Sequence, residues 1–152
     1  MQTRRKTLQH SAVVGALLAS TGLLPHAAFA AWNKAAFEAK GVADALKGLG
    51  AGAPVESKDV TITGPDIAEN GAVVPIGVST ALAGVKQLLI LVEKNPAALV
   101  AIFNITDSID TNVSTRTKMG QSSDVYAVAI MNDGRVLFAK KEVKVTLGGC
   151  GG

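Results

Sequence analysis

The sequence predicts a mainly β protein: an antiparallel β-sandwich with one N-terminal helix. Three observations predict it. After residue 50 the chain falls into about seven short runs of alternating or wholly apolar residues. Turn signals separate these runs at near-regular spacing, among them Gly64-Pro65-Asp66, Glu69-Asn70-Gly71, Asn95-Pro96 and Asp133-Gly134. Helical periodicity is confined to the stretch before residue 50. A sandwich is the usual outcome of such a pattern, and a small eight-stranded barrel is its rival.

Each element has its own reason. In WNKAAFEAKGVADALKG, residues 32–48, the residues Trp32, Ala36, Phe37, Val42, Ala45 and Leu46 recur at helical intervals and predict one helix, with Gly41 weakening its middle. The stretch 49–54 reads as a break. Val60 to Thr63 alternates. Ala72 to Thr80 sets Val74, Ile76 and Val78 on one face, and Pro75, lacking an N–H, predicts an edge strand or a bulge. Val85 to Glu93 is apolar throughout Leu88 to Val92, as in a strand buried on both faces. In the next strand Leu99, Ala101, Phe103 and Ile105 share a face. Asn112 to Met119 presents Asn112, Ser114, Arg116 and Lys118 to water. Asp124 to Met131 is again apolar. Asp133-Gly134 predicts a hairpin, because both residues tolerate positive φ. In the last run, Arg135 to Leu147, Val143, Val145 and Leu147 oppose Glu142, Lys144 and Thr146.

Ahead of this domain stand a basic head (MQTRRKTLQH), an apolar run of 14 residues from Ser11 to Leu24, and the small-residue exit Ala28-Phe29-Ala30. That is the layout of an export signal, cleaved near Ala31. A membrane span needs about 20 residues, so no lasting membrane anchor is expected. Arg4-Arg5 just before the apolar run resembles the twin-arginine signal, with Thr7 and Gln9 departing from its commonest form. An ordinary secretory signal with adjacent arginines is the plainer reading, and either route leads out of the cytoplasm. The expected organisation is thus residues 1–30 as signal, 31–147 as helix plus sandwich, and 148–152 as a separate arm.

Cleavage removes Arg4, Arg5 and Lys6, which takes the 15 basic side chains to 12, equal to the 12 acidic ones. A basic face for nucleic acid or anionic lipid is therefore not expected. His10 and His26 leave as well, so the mature chain has no histidine and one cysteine, Cys150. This excludes Cys-His and Ser-His catalysis, zinc or haem ligation through His or paired Cys, and an internal disulfide. Carboxylate and carbonyl oxygens leave a calcium site open. No cofactor is expected.

Cys150 sits in Gly148-Gly149-Cys150-Gly151-Gly152. It lies three residues beyond Leu147, so its Cα reaches at most about 10 Å from the last residue expected to pack. Glycines make the thread thin and conformationally free, a flexible C-terminal arm suited to a channel that would exclude side chains. No histidine accepts the thiol proton, and an unassisted cysteine is only a few per cent thiolate at neutral pH, given a pKa of about 8.5. The arrangement presents a sulfur for other proteins to act on, as a carrier does. The alternatives are a frayed tail with an incidental cysteine, a displaced lipoprotein box, a Gly-Gly terminus activated with ATP, and a disulfide-linked dimer through Cys150. An exposed lone thiol outside the cytoplasm is a liability, which disfavours the first. Position argues against the second, and export against the third.

The stretch Val145-Thr146-Leu147-Gly148-Gly149-Cys150-Gly151-Gly152 resembles the C-terminus of the SoxY family of the bacterial thiosulfate-oxidising system. The resemblance extends to the alanine-rich N-terminal segment, to Glu69-Asn70-Gly71-Ala72-Val73-Val74-Pro75, to Glu93-Lys94-Asn95-Pro96 and to Thr115-Arg116-Thr117-Lys118-Met119, so it covers nearly the whole chain. It implies an immunoglobulin-like sandwich in the periplasm, paired with a SoxZ-like subunit that has no export signal of its own. It implies that Cys150 carries sulfur intermediates on an arm made of Gly148, Gly149, Gly151 and Gly152. A haem c-containing SoxAX-like complex would load thiosulfate, a SoxB-like hydrolase would release sulfate, and further Sox components would deal with the sulfane sulfur. The chain itself would not be an enzyme. Apart from this resemblance, several strands apolar on both faces, notably Leu88 to Val92, predict an obligate or near-obligate heterodimer through β-sheet surface.

Overall fold

A computed structural model describes residues 33–146. The export signal with Arg4 and Arg5, the cleavage site, and the arm with Gly148, Gly149, Cys150, Gly151 and Gly152 lie outside the described residues, as does Leu147.

The elements in chain order are α1 (Lys34–Phe37), α2 (Val42–Gly48), β1 (Pro54–Glu56), β2 (Val60–Thr63), β3 (Ile67–Ala68), β4 (Val74–Thr80), β5 (Val85–Val92), β6 (Leu99–Asn104), β7 (Asn112–Thr117), β8 (Ser123–Met131) and β9 (Val136–Val145). The larger sheet runs β1-β9-β8-β5-β6, with β3 also pairing β9, and the smaller runs β2-β4-β7. The fold is the expected immunoglobulin-like β-sandwich. Val74, Ile76 and Val78 of β4 meet Leu88, Ile90 and Val92 of β5 and Val125, Ala127 and Ala129 of β8 between the sheets. Burial of each Val, Leu or Ile side chain contributes about 1.5–3 kcal/mol.

The single helix expected over residues 32–48 is two. Asn33 caps the first, its Oδ1 accepting from Ala36 N at 3.1 Å, while its Nδ2 donates to Gly48 O at 2.9 Å and ties the helices together. Gly41 stands at the N-cap of the second in extended conformation, where a glycine costs least. Gly50, at φ +68°, ends α2: Gly50 N donates to Lys47 O and Ala51 N to Leu46 O, a left-handed closure that favours glycine.

These helices decide what happens to the apolar strands. Leu89 and Leu91 of β5 and Val128 and Ile130 of β8 face away from the sandwich interior and pack against Ala36, Ala45 and Leu46. Leu88 to Val92 is therefore buried on both faces, as expected, but the outer face is covered by the chain's own helices. The reason that run gave for an obligate pairing is removed, because the chain's own helices already cover the surface it invoked.

Three further expectations are corrected. β4 is the central strand of its sheet; β2 pairs it only as far as Thr63↔Gly77, so Pro75 has a neighbour on the β7 side alone and its missing N–H breaks no ladder with β2. Leu99 does not share a face with Phe103 and Ile105. The register shifts between Ile90 and Leu91, so Leu99 packs under the helices while Phe103 and Ile105 face the other sheet. In the β8–β9 hairpin only Gly134 has positive φ (+89°): Gly134 N donates to Met131 O and Met131 N to Arg135 O, a three-residue loop with glycine in the left-handed position. The expected wet face of β7 is found, with Asn112, Ser114 and Arg116 exposed.

Candidate functional site

β9 precedes the Cys150 segment in the chain, so the end of its ladder is the root of that segment. Val143 is fully buried and Val145 packs against the sandwich core, which anchors alternate residues of the strand end. Their neighbours Glu142, Lys144 and Thr146 are exposed, as the alternation predicts.

The strand end is held from both sides. On one side β3 runs parallel to it, with Ile67 opposite Lys144 and Ala68 opposite Val145. Lys144 N donates to Asp66 O at 2.9 Å and Thr146 N to Ala68 O at 3.1 Å. On the other side Val145 N donates to Ser122 Oγ at 2.9 Å. Three successive backbone N–H groups are thus satisfied, alternating left and right, up to Thr146.

The chain after β3 then wraps the strand end. Asn70 shapes the turn, its Oδ1 accepting from Ala72 N at 2.9 Å and its carbonyl from Val73 N at 3.3 Å. Gly71 lies so close to Met119 and Val145 that any Cβ there would collide with the Met119 carbonyl oxygen and come 2.8 Å from Val145 Cγ1. Met119 N donates to Gly71 O at 2.7 Å. Residues 66–73 therefore form a strap around the strand end.

A charge clamp fastens the start of the strap. Lys141 Nζ donates to Gly64 O at 2.6 Å and pairs with Asp66 Oδ1 at 2.9 Å. The hydrogen bond from Lys141, and then its charge, hold the Asp66 carboxyl below the usual carboxylate range. The pair is solvent-screened, so it contributes positioning more than stability.

The strap was not legible in the sequence. β3 is too short for an alternation signal, and Glu69-Asn70-Gly71 announced a turn without saying what it encloses. Nothing in the pattern pointed to Ser122. The predicted site residues Cys150, Gly148, Gly149, Gly151 and Gly152 continue from the root that the structure describes. Among the described residues no group of three or more His, Cys, Asp or Glu side chains could hold a metal ion, and no helix is long and apolar enough to cross a membrane. The outer face of the small sheet carries an open groove lined by Thr63, Pro75, Gly77, Ser114 and Arg116.

Comparison with known proteins gives this root a context. The family of the sulfur oxidation protein SoxY matches residues 46–150, from α2 to Cys150 itself. Among solved structures, the sulfur carrier protein SoxY from Chlorobium limicola f thiosulfatophilum is 32% identical with a TM-score of 0.60, covering 67% of this chain and 92% of that one. A superoxide reductase (neelaredoxin) variant from Ignicoccus hospitalis is 18% identical with a TM-score of 0.51, covering 57% of this chain and 79% of that one; the likeness is of fold alone. No match was found among curated proteins. The family match spans well over half of the chain and takes in the cysteine, and the chain belongs to the SoxY family of sulfur oxidation proteins.

Proposed function

We propose that this chain is a periplasmic covalent carrier of thiosulfate-derived sulfur, with Cys150 as attachment site and Gly148, Gly149, Gly151 and Gly152 as its arm. The observation that carries the reading is the family match running through Cys150, joined to a strand end that is hydrogen-bonded as far as Thr146. A clamped root with the cysteine four residues beyond it suits a thiol handed to other proteins.

The chemistry balances without a catalytic group on this chain. The Cys150 thiolate and thiosulfate join through a new S–S bond to give Cys–S–S–SO₃⁻, and the two electrons released pass to a haem c-containing SoxAX-like complex. Water, in the active site of a SoxB-like hydrolase, then cleaves the bond between sulfane and sulfonate sulfur. The products are sulfate, protons and Cys–S–S⁻, which sulfane-oxidising Sox components take further. A SoxZ-like subunit completes the carrier, and Arg4-Arg5 directs the folded pair through twin-arginine export.

Intact mass of the chain, after incubation with thiosulfate and the partner proteins, tests this. The wild-type chain is expected to gain a thiosulfate-derived adduct that maps to Cys150 and is absent from Cys150→Ser. A reducible dimer with no adduct would overturn the carrier reading in favour of an exported module joined by an intermolecular disulfide.

A further inference from the structure

Thr146 is held to Ala68, and Cys150 follows four residues later. Four residues of fully extended chain span at most about 14 Å, whatever their arrangement. A catalytic centre that reacts with this sulfur must therefore come within about 14 Å of Thr146, apart from the short cysteine side chain. An enzyme that encloses the sulfur has to set the rim of its cleft against the surface around Thr146.

One side of that surface is the strap, and the other is the segment that carries Ser122. The strap exposes two large apolar side chains, Ile67 at 57% and Val73 at 51%. Ile67 stands opposite Lys144 in the β3–β9 ladder. Val73 is two residues from Gly71, which abuts Val145. The other exposed large hydrophobics among the described residues are elsewhere: Val55 lies on β1, paired with Leu137 near the opposite end of β9, and Ile109 lies between β6 and β7. Neither Ile67 nor Val73 is required by the core, which Ala68 and Val74 beside them fill.

We propose that the strap of residues 66–73 is the docking surface for the enzymes that act on Cys150, with Ile67 and Val73 as its apolar contacts. The occupant is an enzyme whose catalytic centre lies at the floor of a narrow channel no deeper than about 14 Å plus the length of the cysteine side chain and its sulfur adduct, with an apolar rim. Because successive enzymes act on one sulfur, they share this surface and bind it in turn, not together. The inference rests on the carrier reading.

The test uses the mature chain loaded by thiol exchange with tetrathionate, in which the Cys150 thiolate displaces thiosulfate and keeps the S–SO₃⁻ group. Sulfate release by the SoxB-like hydrolase of the same cells is then measured against carrier concentration. Ile67→Asp with Val73→Asp is expected to lower kcat/KM at least tenfold, through KM, with kcat within about twofold, as for loss of uniform binding. Ile67→Thr with Val73→Thr keeps the β-branched shape and is expected to show a smaller loss in the same direction. Val55→Asp is expected to leave kcat/KM unchanged, and a small alkylating reagent is expected to label Cys150 equally in all. Unchanged kcat/KM in both strap variants, or an equal loss in Val55→Asp, overturns the docking surface. No sulfate from the loaded wild-type chain overturns the carrier reading instead.

Discussion

Gly71→Ala tests whether the root is as closely built as it looks. The new Cβ would collide with the Met119 carbonyl oxygen and stand 2.8 Å from Val145 Cγ1. Val145 can rotate away, but the Met119 carbonyl belongs to the backbone of a segment whose N–H holds Gly71 O at 2.7 Å. The strap must therefore lift. Overpacking of this kind costs about 1–3 kcal/mol, and a lost backbone hydrogen bond adds about 1 kcal/mol. With each kcal/mol moving Tm by about 4 °C in a domain of about 120 residues, a combined loss of roughly 2–4 kcal/mol lowers Tm by about 8–16 °C. Thermal melts of the mature chain followed by circular dichroism read this directly. Gly120→Ala is the control: nothing lies within 4 Å of its added Cβ, so its Tm is expected within about 2 °C of wild type or slightly above it. A Gly71→Ala protein that melts within about 2 °C of wild type would refute the close approach of strap and strand.

The remaining predictions concern the helices, the charge clamp and export. Leu91→Ala opens a cavity beneath the helices, where Leu91 is fully buried, and is expected to cost about 2–5 kcal/mol in urea unfolding with m unchanged. Asp66 has a depressed folded pKa, so its contribution to stability is present above its unfolded pKa and is lost as pH falls through the folded value. Lys141→Gln is expected to raise the Asp66 titration midpoint toward the ordinary carboxylate value, followed by carboxyl NMR; no rise would mean that Lys141 does not set it. Arg4→Lys with Arg5→Lys is expected to strand this chain and its co-exported partner in the cytoplasm, and a partner reaching the periplasm alone in fractionation would exclude co-export.

How far the sequence was legible follows from the range of each signal. Period-two alternation and continuous apolar runs are both local properties, so β2, β4, β5, β7, β8 and most of β9 could be read from their own residues. Parallel pairing of β1 and β3 with β9 joins residues far apart in sequence, and both strands are too short to carry a pattern. The bulge beside Val100 is set by the partner strand, so Leu99 looked like part of a run it does not join. The helix break was announced by Gly41, yet Gly41 reads equally as a weak interior residue until Asn33 is seen bridging to Gly48. For the site the division is sharper. The case for Cys150 and its glycines rests on the letters alone, because it depends on which side chains are absent. The strap is visible only in three dimensions, because it depends on which backbone groups meet.

The covered face of β5 also changes what a partner subunit can contribute. If Leu89, Leu91, Val128 and Ile130 were open, the chain could not be stable alone, and its Tm would rise with concentration of the assembled pair. They pack instead on Ala36, Ala39, Ala45 and Leu46 of the same chain. The other outer face, on β2, β4 and β7, exposes Thr63, Ser114 and Arg116 to water. The proposed SoxZ-like subunit would therefore add binding free energy to a body that already folds, without completing its core. The isolated mature chain, with Cys150 reduced, is expected to unfold in one cooperative transition whose midpoint is unchanged over a hundredfold range of concentration, and to bind no 1-anilinonaphthalene-8-sulfonate. A midpoint that climbs with concentration, or a broad transition with strong dye binding, would mean that the helices do not seal the sheet and that pairing is needed for folding after all.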